Sequence, residues 1–431
     1  MFVRSQDYSV NISFEKSKVS IPAIYKNTRL DIPFDINTLE SHLAIFGGTR
    51  SGKTTFIKNL VTRLRHVHPN DLYILLNVKD DYNDLLQSND AFFSIKNPTF
   101  HWSILKEAYD SPYPEDALNE ITMELFHEEL TKAHNKFFPE TAQKVLYGLL
   151  LFQLRNRCIA DNKTLANWIR SLSLIDIKNI LHNVGLGYIA ETYLYAGQTK
   201  MNGQNGAILS TMHLILDYYF VQDNAVLMST KDILAVEGNL LLLQYDIQFQ
   251  KSSNYLMKLL LKLIIKRKLS QDAPERRVYL ILDEASVLAG DFDLVQVLNI
   301  GAGKRIHVIL GLQSIELLYR CLESPDEHLQ QSVLGGFQNF VFFRPRDSPT
   351  KDFIVHLGGQ DMIETSVYPA HISGHTEIIV QKDDLISTRD IETLTVGEAY
   401  LKILDQPMFK VKFLKGVKYA ENIDFRTQSY I

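Results

Sequence analysis

The sequence has few cysteines and no excess of basic residues. Its two cysteines, Cys158 and Cys321, form no CxxC pair among 431 residues. Neither a disulfide framework nor a cysteine-based metal site is therefore expected, and a reducing compartment is favoured. The formal net charge of −5 gives no global sign of nucleic-acid binding, although a local basic channel is compatible with it.

Long apolar runs are also missing. Residues 1–18 contain no apolar segment typical of a signal peptide. A long uncharged stretch, residues 201–216, ends at Asp217 and is shorter than the roughly 20 apolar residues that span a bilayer. We expect a cytoplasmic protein with no membrane span of its own, which could be peripheral at the inner face of the cell membrane.

The segment around residue 46 has the pattern of a βαβ unit. The apolar run "HLAIFGG" predicts a strand that enters a glycine turn, and "GKTTFIKNLVTRLRHV" predicts a helix. The run "DLYILLNVKDDY" predicts a second buried strand. This order is typical of a parallel sheet.

The pattern changes twice further along the chain. Apolar residues at helical spacing predict a mainly helical insertion. Later runs such as "GNLLLLQYDI", "RVYLILDEA", "RIHVILGLQS" and "NFVFFRPRD" predict strands again. We therefore expect an α/β fold with an N-terminal β segment over 1–40, a nucleotide-binding domain over 41–95 and 216–431, and an all-α insertion over 96–215.

The glycine turn matches the phosphate-binding pattern G-x-x-x-x-G-K-[ST]. Glycines let successive N–H groups point at phosphate oxygens, and the following helix adds the positive end of its dipole. Lys53 is expected to reach the β and γ phosphates, and Thr54 to ligate Mg²⁺. The nucleotide-binding candidates are Gly47, Gly48, Thr49, Arg50, Ser51, Gly52, Lys53, Thr54 and Thr55.

A second acidic element is expected to hold the metal. The apolar run Val278–Leu282 is followed by Asp283 and Glu284. Asp283 is the candidate Mg²⁺ ligand, and Glu284 is the candidate general base for an attacking water. The alternative is a buried strand that ends in two solvated acids, and the presence of the phosphate-binding loop disfavours it. An adjacent glutamate favours hydrolysis over phosphate transfer.

Gln313 follows another buried strand and is expected at the same sheet edge, because the carboxyl ends of parallel strands gather where a ligand binds. It is a candidate contact of the γ-phosphate or the water, and the alternative is a helix-capping glutamine. Arg344, Arg346, Lys304 and Arg305 are candidates for an arginine finger from a neighbouring subunit, or ordinary surface charges.

One predicted helix carries a regular lysine stripe. Lys258, Lys262 and Lys266 recur every four residues among leucines and isoleucines. A membrane-surface helix would have this pattern. A helix packed on the sheet with one solvated face has it too, and we favour this second interpretation.

The order of these motifs resembles the HerA/FtsK superfamily of RecA-like pumping ATPases, and most of all its TraG/TraD-like coupling proteins of conjugation and type IV secretion. "LESHLAIFGGTRSGKTT", "LILDEASVLAG" and "HVILGLQSIELLY" look like the first strand with its P-loop, the Walker B strand and the glutamine motif of that family. "LLNVKDDY" is similar to its second strand, with Asn77 in the usual acidic place and Lys79 in that of the lysine. The likeness covers most of the chain.

The resemblance implies a RecA-like P-loop NTPase core with a mainly parallel central sheet. It implies a hexameric ring that binds ATP and Mg²⁺ between subunits and passes DNA through its pore, with a relaxase or a secretion channel as partner. The chain departs from the family in two ways. We expect none of the N-terminal transmembrane helices that the family usually has, and the basic residues before the glutamine strand are displaced to "GAGKRIH".

Three hypotheses follow. The first is an ATP-driven DNA translocase of the coupling-protein type. The second is a HerA-type ring ATPase of a packaging, repair or defence complex, which would share the same catalytic residues. The third is a nucleotide-gated switch, against which Glu284 argues because a switch needs no base.

Overall fold

The computed structural model describes residues 14, 17–96, 99–194, 203–221, 226–270, 276–288, 294–322, 327–367 and 377–414. Residues 1–13, 15 and 16 of the predicted N-terminal β segment lie outside these residues. The chain divides into two compact units. Unit 1 comprises Met1–Pro69, Leu282–Ser286 and His307–Ile431, and unit 2 comprises Asn70–Ile281 and Val287–Ile306.

Strands and helices are interspersed along the described chain, with one long helical stretch before residue 220. The strands are β1 (Ser20–Tyr25), β2 (Thr28–Pro33), β3 (Leu43–Phe46), β4 (Leu72–Asn77), β5 (Ala91–Phe93), β6 (Phe100–Trp102), β7 (Val226–Met228), β8 (Leu240–Gln244), β9 (Val278–Asp283), β10 (Ile306–Leu312), β11 (Asn339–Phe343), β12 (Gln360–Val367), β13 (Glu377–Asp384), β14 (Glu398–Lys402) and β15 (Phe409–Phe413). The helices are α1 (Ile36–Leu39), α2 (Lys53–Val67), α3 (Ile104–Tyr109), α4 (Pro114–Leu125), α5 (His127–Lys132), α6 (Phe137–Arg155), α7 (Asn162–Ser171), α8 (Leu174–Asn183), α9 (Gly187–Tyr193), α10 (Gly203–Tyr219), α11 (Thr230–Leu234), α12 (Gln250–Leu269), α13 (Leu294–Ile300), α14 (Ile315–Cys321), α15 (Glu327–Gly335), α16 (Ser348–Gly358) and α17 (Thr388–Glu392).

In unit 1, β3 lies between β10 and β11 and is parallel to both. All four residues of β3 and all five of β11 are buried, which is typical of strands in a parallel sheet that is covered on both faces. An antiparallel edge continues from β11 through β14, β15 and β1 to β2. Because β3, β10 and β11 are parallel, the residues that follow their last positions lie at one edge.

In unit 2, β8 lies between β4 and β5 and is parallel to both. The helices α3 to α10 follow between β6 and β7, which pair with each other in parallel. The α/β class and the mainly parallel central sheet predicted from the sequence are thus confirmed. The division into a β segment, a nucleotide-binding domain and an all-α insertion remains a prediction.

Burial of a charged side chain fixes the start of the helical segment. Glu107 on α3 is 4% exposed. Its carboxylate accepts hydrogen bonds from Trp102 Nε1 and from the Thr230 amide and hydroxyl, and Arg267 of α12 pairs with it at 2.7 Å. A buried carboxylate is tolerated when its oxygens are hydrogen-bonded and paired with a cation in this way.

The lysine stripe of α12 is ion-paired. Three lysines on α12 meet three glutamates on α4 and α5: Lys258–Glu128 (3.1 Å), Lys262–Glu124 (2.8 Å) and Lys266–Glu120 (2.9 Å). The helix also contacts α10 and α11. The predicted solvated lysine face is wrong for Lys258 and Lys262, which are 13% and 16% exposed beneath their glutamates, whereas Lys266 is 63% exposed. Packing of α12 on the sheet stays a prediction.

No helix in the described part of the chain combines the length and the apolar character needed to cross a membrane.

Candidate functional site: a phosphate-binding loop and its acids

The phosphate-binding loop joins β3 to α2 within unit 1. Gly52 has φ 114° and ends the loop immediately before α2, a conformation that glycine adopts without strain. At Gly47 an added Cβ would lie 2.7 Å from Phe343 Cβ and 2.7 Å from Ser51 Oγ. The close fold of this loop therefore needs glycine at both ends, as the motif predicts.

The loop has the features of an anion cradle. The Ser51 hydroxyl is buried and has no hydrogen-bond partner within the described residues. Buried polar groups are nearly always paired, and an unpaired one indicates a missing ligand or water. Together with the N-terminus of the 15-residue helix α2, this hydroxyl fits a phosphate group.

Lys53 and Thr54 are brought to the end of β9. Lys53 Nζ lies 2.5 Å from Asp283 Oδ1 and 3.7 Å from Glu284 Oε2. The Thr54 hydroxyl donates to Asp283 Oδ2 at 3.1 Å. Lys53 and Asp283 are each only 7% exposed, so their charges compensate each other. Hydroxyl and carboxylate oxygens are the ligands that Mg²⁺ prefers, and this pair fits such an ion.

The space for the Asp283 carboxylate comes from Gly311 in β10. A Cβ at Gly311 would lie 2.6 Å from Asp283 Oδ1 and 3.2 Å from Ile57 Cδ1. Gly311 was not among the sequence candidates. The signal was present as an isolated glycine within a strand pattern, which often marks a close approach of other atoms.

Glu284 and Gln313 are in direct contact. Gln313 Nε2 donates to Glu284 Oε1 at 2.6 Å. The N-cap of α14 is Ser314, whose side chain accepts from the Leu317 amide, so the helix-capping alternative for Gln313 is wrong. Glu284 has φ 65°, a left-handed backbone that is uncommon for a residue with a Cβ and that concentrates at functional sites.

The candidate arginines lie in different places. The carbonyl of Arg344 accepts from the Gly48 amide at 3.2 Å, so the segment after β11 touches the loop of its own chain. Arg344 also contributes, after Lys351, to the lowered pKa of the Glu392 carboxyl. Arg305 belongs to unit 2 and immediately precedes β10, whereas Gln313 follows the last residue of that strand. A role in a neighbouring subunit stays a prediction for both arginines.

A group of side-chain amides lies at the carboxyl ends of β4 and β8. Asn77 is fully buried, and its Nδ2 donates to Asn83 Oδ1 and Gln244 Oε1 at 2.8 Å each. The asparagine in the usual acidic place is therefore held by neutral partners. Gln244 and Asn83 were missed in the sequence because nothing local indicates this pairing.

The parallel sheet, the glycine loop, and the acids at the neighbouring strand ends define a P-loop NTPase fold of the RecA-like class. The chain belongs to the family of type IV secretion-system coupling proteins. The model of the coupling-protein DNA-binding domain matches residues 28–414.

Solved structures of one coupling protein are similar in fold. The unbound bacterial conjugative coupling protein TrwBdeltaN70 is 16% identical with a TM-score of 0.67, over 88% of this chain and 87% of that chain. The plasmid coupling protein TrwB in complex with ADP and Mg²⁺ is 16% identical with a TM-score of 0.65, over 91% and 89%. Its complex with the ATP analogue ADPNP gives 16% identity and 0.67, over 94% and 91%. No curated protein is found to match the sequence.

Proposed function

We propose that this chain is an ATPase that drives DNA through a homohexameric ring in conjugative transfer or type IV secretion. One observation carries the proposal: Lys53, Thr54, Asp283, Glu284 and Gln313 converge on one site in unit 1. The family provides the DNA-processing context. The related TrwB structures with ADP and Mg²⁺ and with an ATP analogue support ATP and Mg²⁺ as the ligands.

The residues divide the work of hydrolysis. On binding, Lys53 exchanges Asp283 for the β and γ phosphates, because Lys53 is the first residue of α2 and follows the phosphate-binding loop directly. The Thr54 hydroxyl and the Asp283 carboxylate would hold Mg²⁺, which offsets phosphate charge in phosphoryl transfer.

Glu284 would act as general base. Its carboxylate accepts a proton from the water whose oxygen attacks the γ-phosphorus, while the bond to the bridging oxygen breaks and leaves ADP and inorganic phosphate. Gln313 holds this carboxylate at 2.6 Å and so orients it. The remaining positive charge would come from a neighbouring subunit, through Arg344 or Arg305.

The test measures ATP hydrolysis with and without single- and double-stranded DNA for the wild type, Glu284→Gln and Glu316→Gln. Glu316 is exposed on α14, so Glu316→Gln makes the same chemical change outside the site. We expect DNA to raise turnover several-fold, Glu284→Gln to lower it by at least about a hundredfold, and Glu316→Gln to leave it unchanged. Native mass spectrometry with nucleotide and DNA should find six subunits.

Two outcomes would contradict parts of the proposal. An ATP turnover that is the same with and without DNA, but is lost in Glu284→Gln, would support the ATPase activity and contradict the DNA-motor function. A packaging or protein-activated role would then be favoured. Tight ATP binding with negligible turnover under every condition would instead indicate a switch. Association with a relaxase or a secretion channel remains a prediction.

A further inference from the structure

Arg346 covers the phosphate-binding loop of its own chain. It follows β11 by three residues, and a Cβ built on Gly48 would lie 3.6 Å from both Cγ and Nε of Arg346. The Gly48 amide is bonded to the Arg344 carbonyl at 3.2 Å, which holds the segment against the loop. The arginine thus lies beside the second residue of the loop without help from another subunit.

The guanidinium of Arg346 has its charge available. The side chain is exposed, and no carboxylate pairs with it among the residues that the structure describes. Of the two cations within the loop itself, Lys53 is already paired with Asp283, and Arg50 is exposed. A cation without a counterion, beside a loop whose Ser51 hydroxyl is buried and has no partner within the described residues, strengthens the site for a multiply charged anion.

The position indicates which part of the anion it meets. The Gly47 amide donates to the Leu312 carbonyl at 3.0 Å, so the start of the loop lies next to the strand end that carries Gln313. Gln313 holds Glu284, whose proposed chemistry is at the γ-phosphorus. The start of the loop is therefore expected near the γ-phosphate.

We propose that Arg346 binds the terminal phosphate of ATP held by the loop of the same chain, and thereby makes this site distinguish ATP from ADP. The inference rests on the proposed function, specifically on its nucleotide binding. It separates Arg346 from Arg344, whose carbonyl accepts from the Gly48 amide, and it gives Arg346 a role within one subunit instead of one across an interface.

The test is nucleotide affinity, measured by isothermal titration calorimetry with Mg-ATP and with Mg-ADP. All proteins carry Glu284→Gln so that ATP is not consumed. We expect Arg346→Ala to weaken ATP binding by at least about tenfold, as loss of a charge-assisted hydrogen bond does, and to change ADP binding less than twofold. Arg346→Lys should recover part of the loss. Arg389→Ala, which removes an exposed arginine on α17, should change neither affinity.

A mixture of two variant subunits tests whether Arg346 binds the ATP of its own chain or that of a neighbouring chain. Lys53→Ala subunits cannot bind nucleotide but carry an intact Arg346. If Arg346 acted on a neighbour, mixing them with Arg346→Ala subunits would restore ATP affinity, and the inference would be wrong. We expect no restoration, whether or not the subunits form rings.

The remaining outcomes are also decisive. Equal losses for ATP and ADP would place Arg346 on another part of the nucleotide, and unchanged affinities would make it a surface charge. Either result overturns this inference while the proposed function stands. If the Glu284→Gln parent itself binds neither nucleotide, the proposed function fails first.

Discussion

The backbone of Glu284 allows a sharp test, because two substitutions can separate its conformation from its chemistry. Glu284 has φ 65°. Both Glu284→Ala and Glu284→Gly remove the carboxylate and its contacts with Gln313 and Lys53. They differ in two backbone contributions to the unfolding free energy, which have opposite signs. The left-handed backbone costs about 1–2 kcal/mol with a Cβ and nothing for glycine, whereas the greater freedom of glycine in the unfolded chain costs about 0.5–1 kcal/mol.

The balance predicts that the glycine variant is the more stable of the two by about 0.5–1 kcal/mol. Urea unfolding followed by circular dichroism measures the difference. Asp352 provides the matched control, since it is exposed in the middle of α16. There alanine should be more stable than glycine by about 1 kcal/mol, as in ordinary helices. The glycine variant should therefore be the more stable of the two at position 284, and the alanine variant at position 352.

Equal stability of the two Glu284 variants, or greater stability of the alanine variant, would refute the reasoning if the Asp352 pair behaves normally. Both Glu284 variants should also lose ATP turnover, since neither has a base. A stabilised glycine variant without activity would mean that the site keeps a strained residue for its side chain.

Two further predictions concern other parts of the chain. Gly311→Ala should displace the Asp283 carboxylate, lower the unfolding free energy by about 1–3 kcal/mol as overpacking does, and weaken Mg²⁺-dependent ATP binding in calorimetry. Gly335→Ala, where an added Cβ meets nothing within 4 Å, should do neither. Burial, followed by the charges of Arg305 and Arg276, lowers the pKa of Lys268 to about 8. An unfolded lysine has a pKa near 10.4. Between about pH 8 and about 10.5 the unfolded chain therefore binds more protons at Lys268 than the folded protein does. The free energy of unfolding should consequently rise as the pH increases from about 8 to about 10.5. Lys268→Met should reduce that rise in urea unfolding at several pH values, and an unchanged rise would contradict the assignment.

The phosphate-binding loop could be predicted from sequence because its information is local. Gly47, Gly52, Lys53 and Thr54 lie within eight consecutive residues, and a strand and a helix flank them. The contact of Gln313 with Glu284 was anticipated only as a shared sheet edge, since neighbouring parallel strands gather their ends there. Its hydrogen bond could not be read from either segment alone.

Other parts of the site depend on contacts that no local pattern contains. The need for glycine at position 311 comes from the carboxylate of a residue 28 positions earlier. The different surroundings of Arg344 and Arg346 depend on how the chain turns after β11. Their sequence "RPR" is nearly symmetrical and gives no reason to separate them.

The ion pairs between α12 and the helices α4 and α5 have a consequence for how that region is held. Lysines and glutamates both repeat every four residues in an antiparallel arrangement. A slide of α12 by four residues, about 6 Å, would still match two of the three pairs and lose only one, which is worth up to about 1 kcal/mol where the side chains are exposed. The charges therefore hold these helices together without specifying their alignment. The alignment must come from the buried side chains of α12, because the row Ser253, Met257, Leu261 and Ile265 changes its shape at every four-residue step.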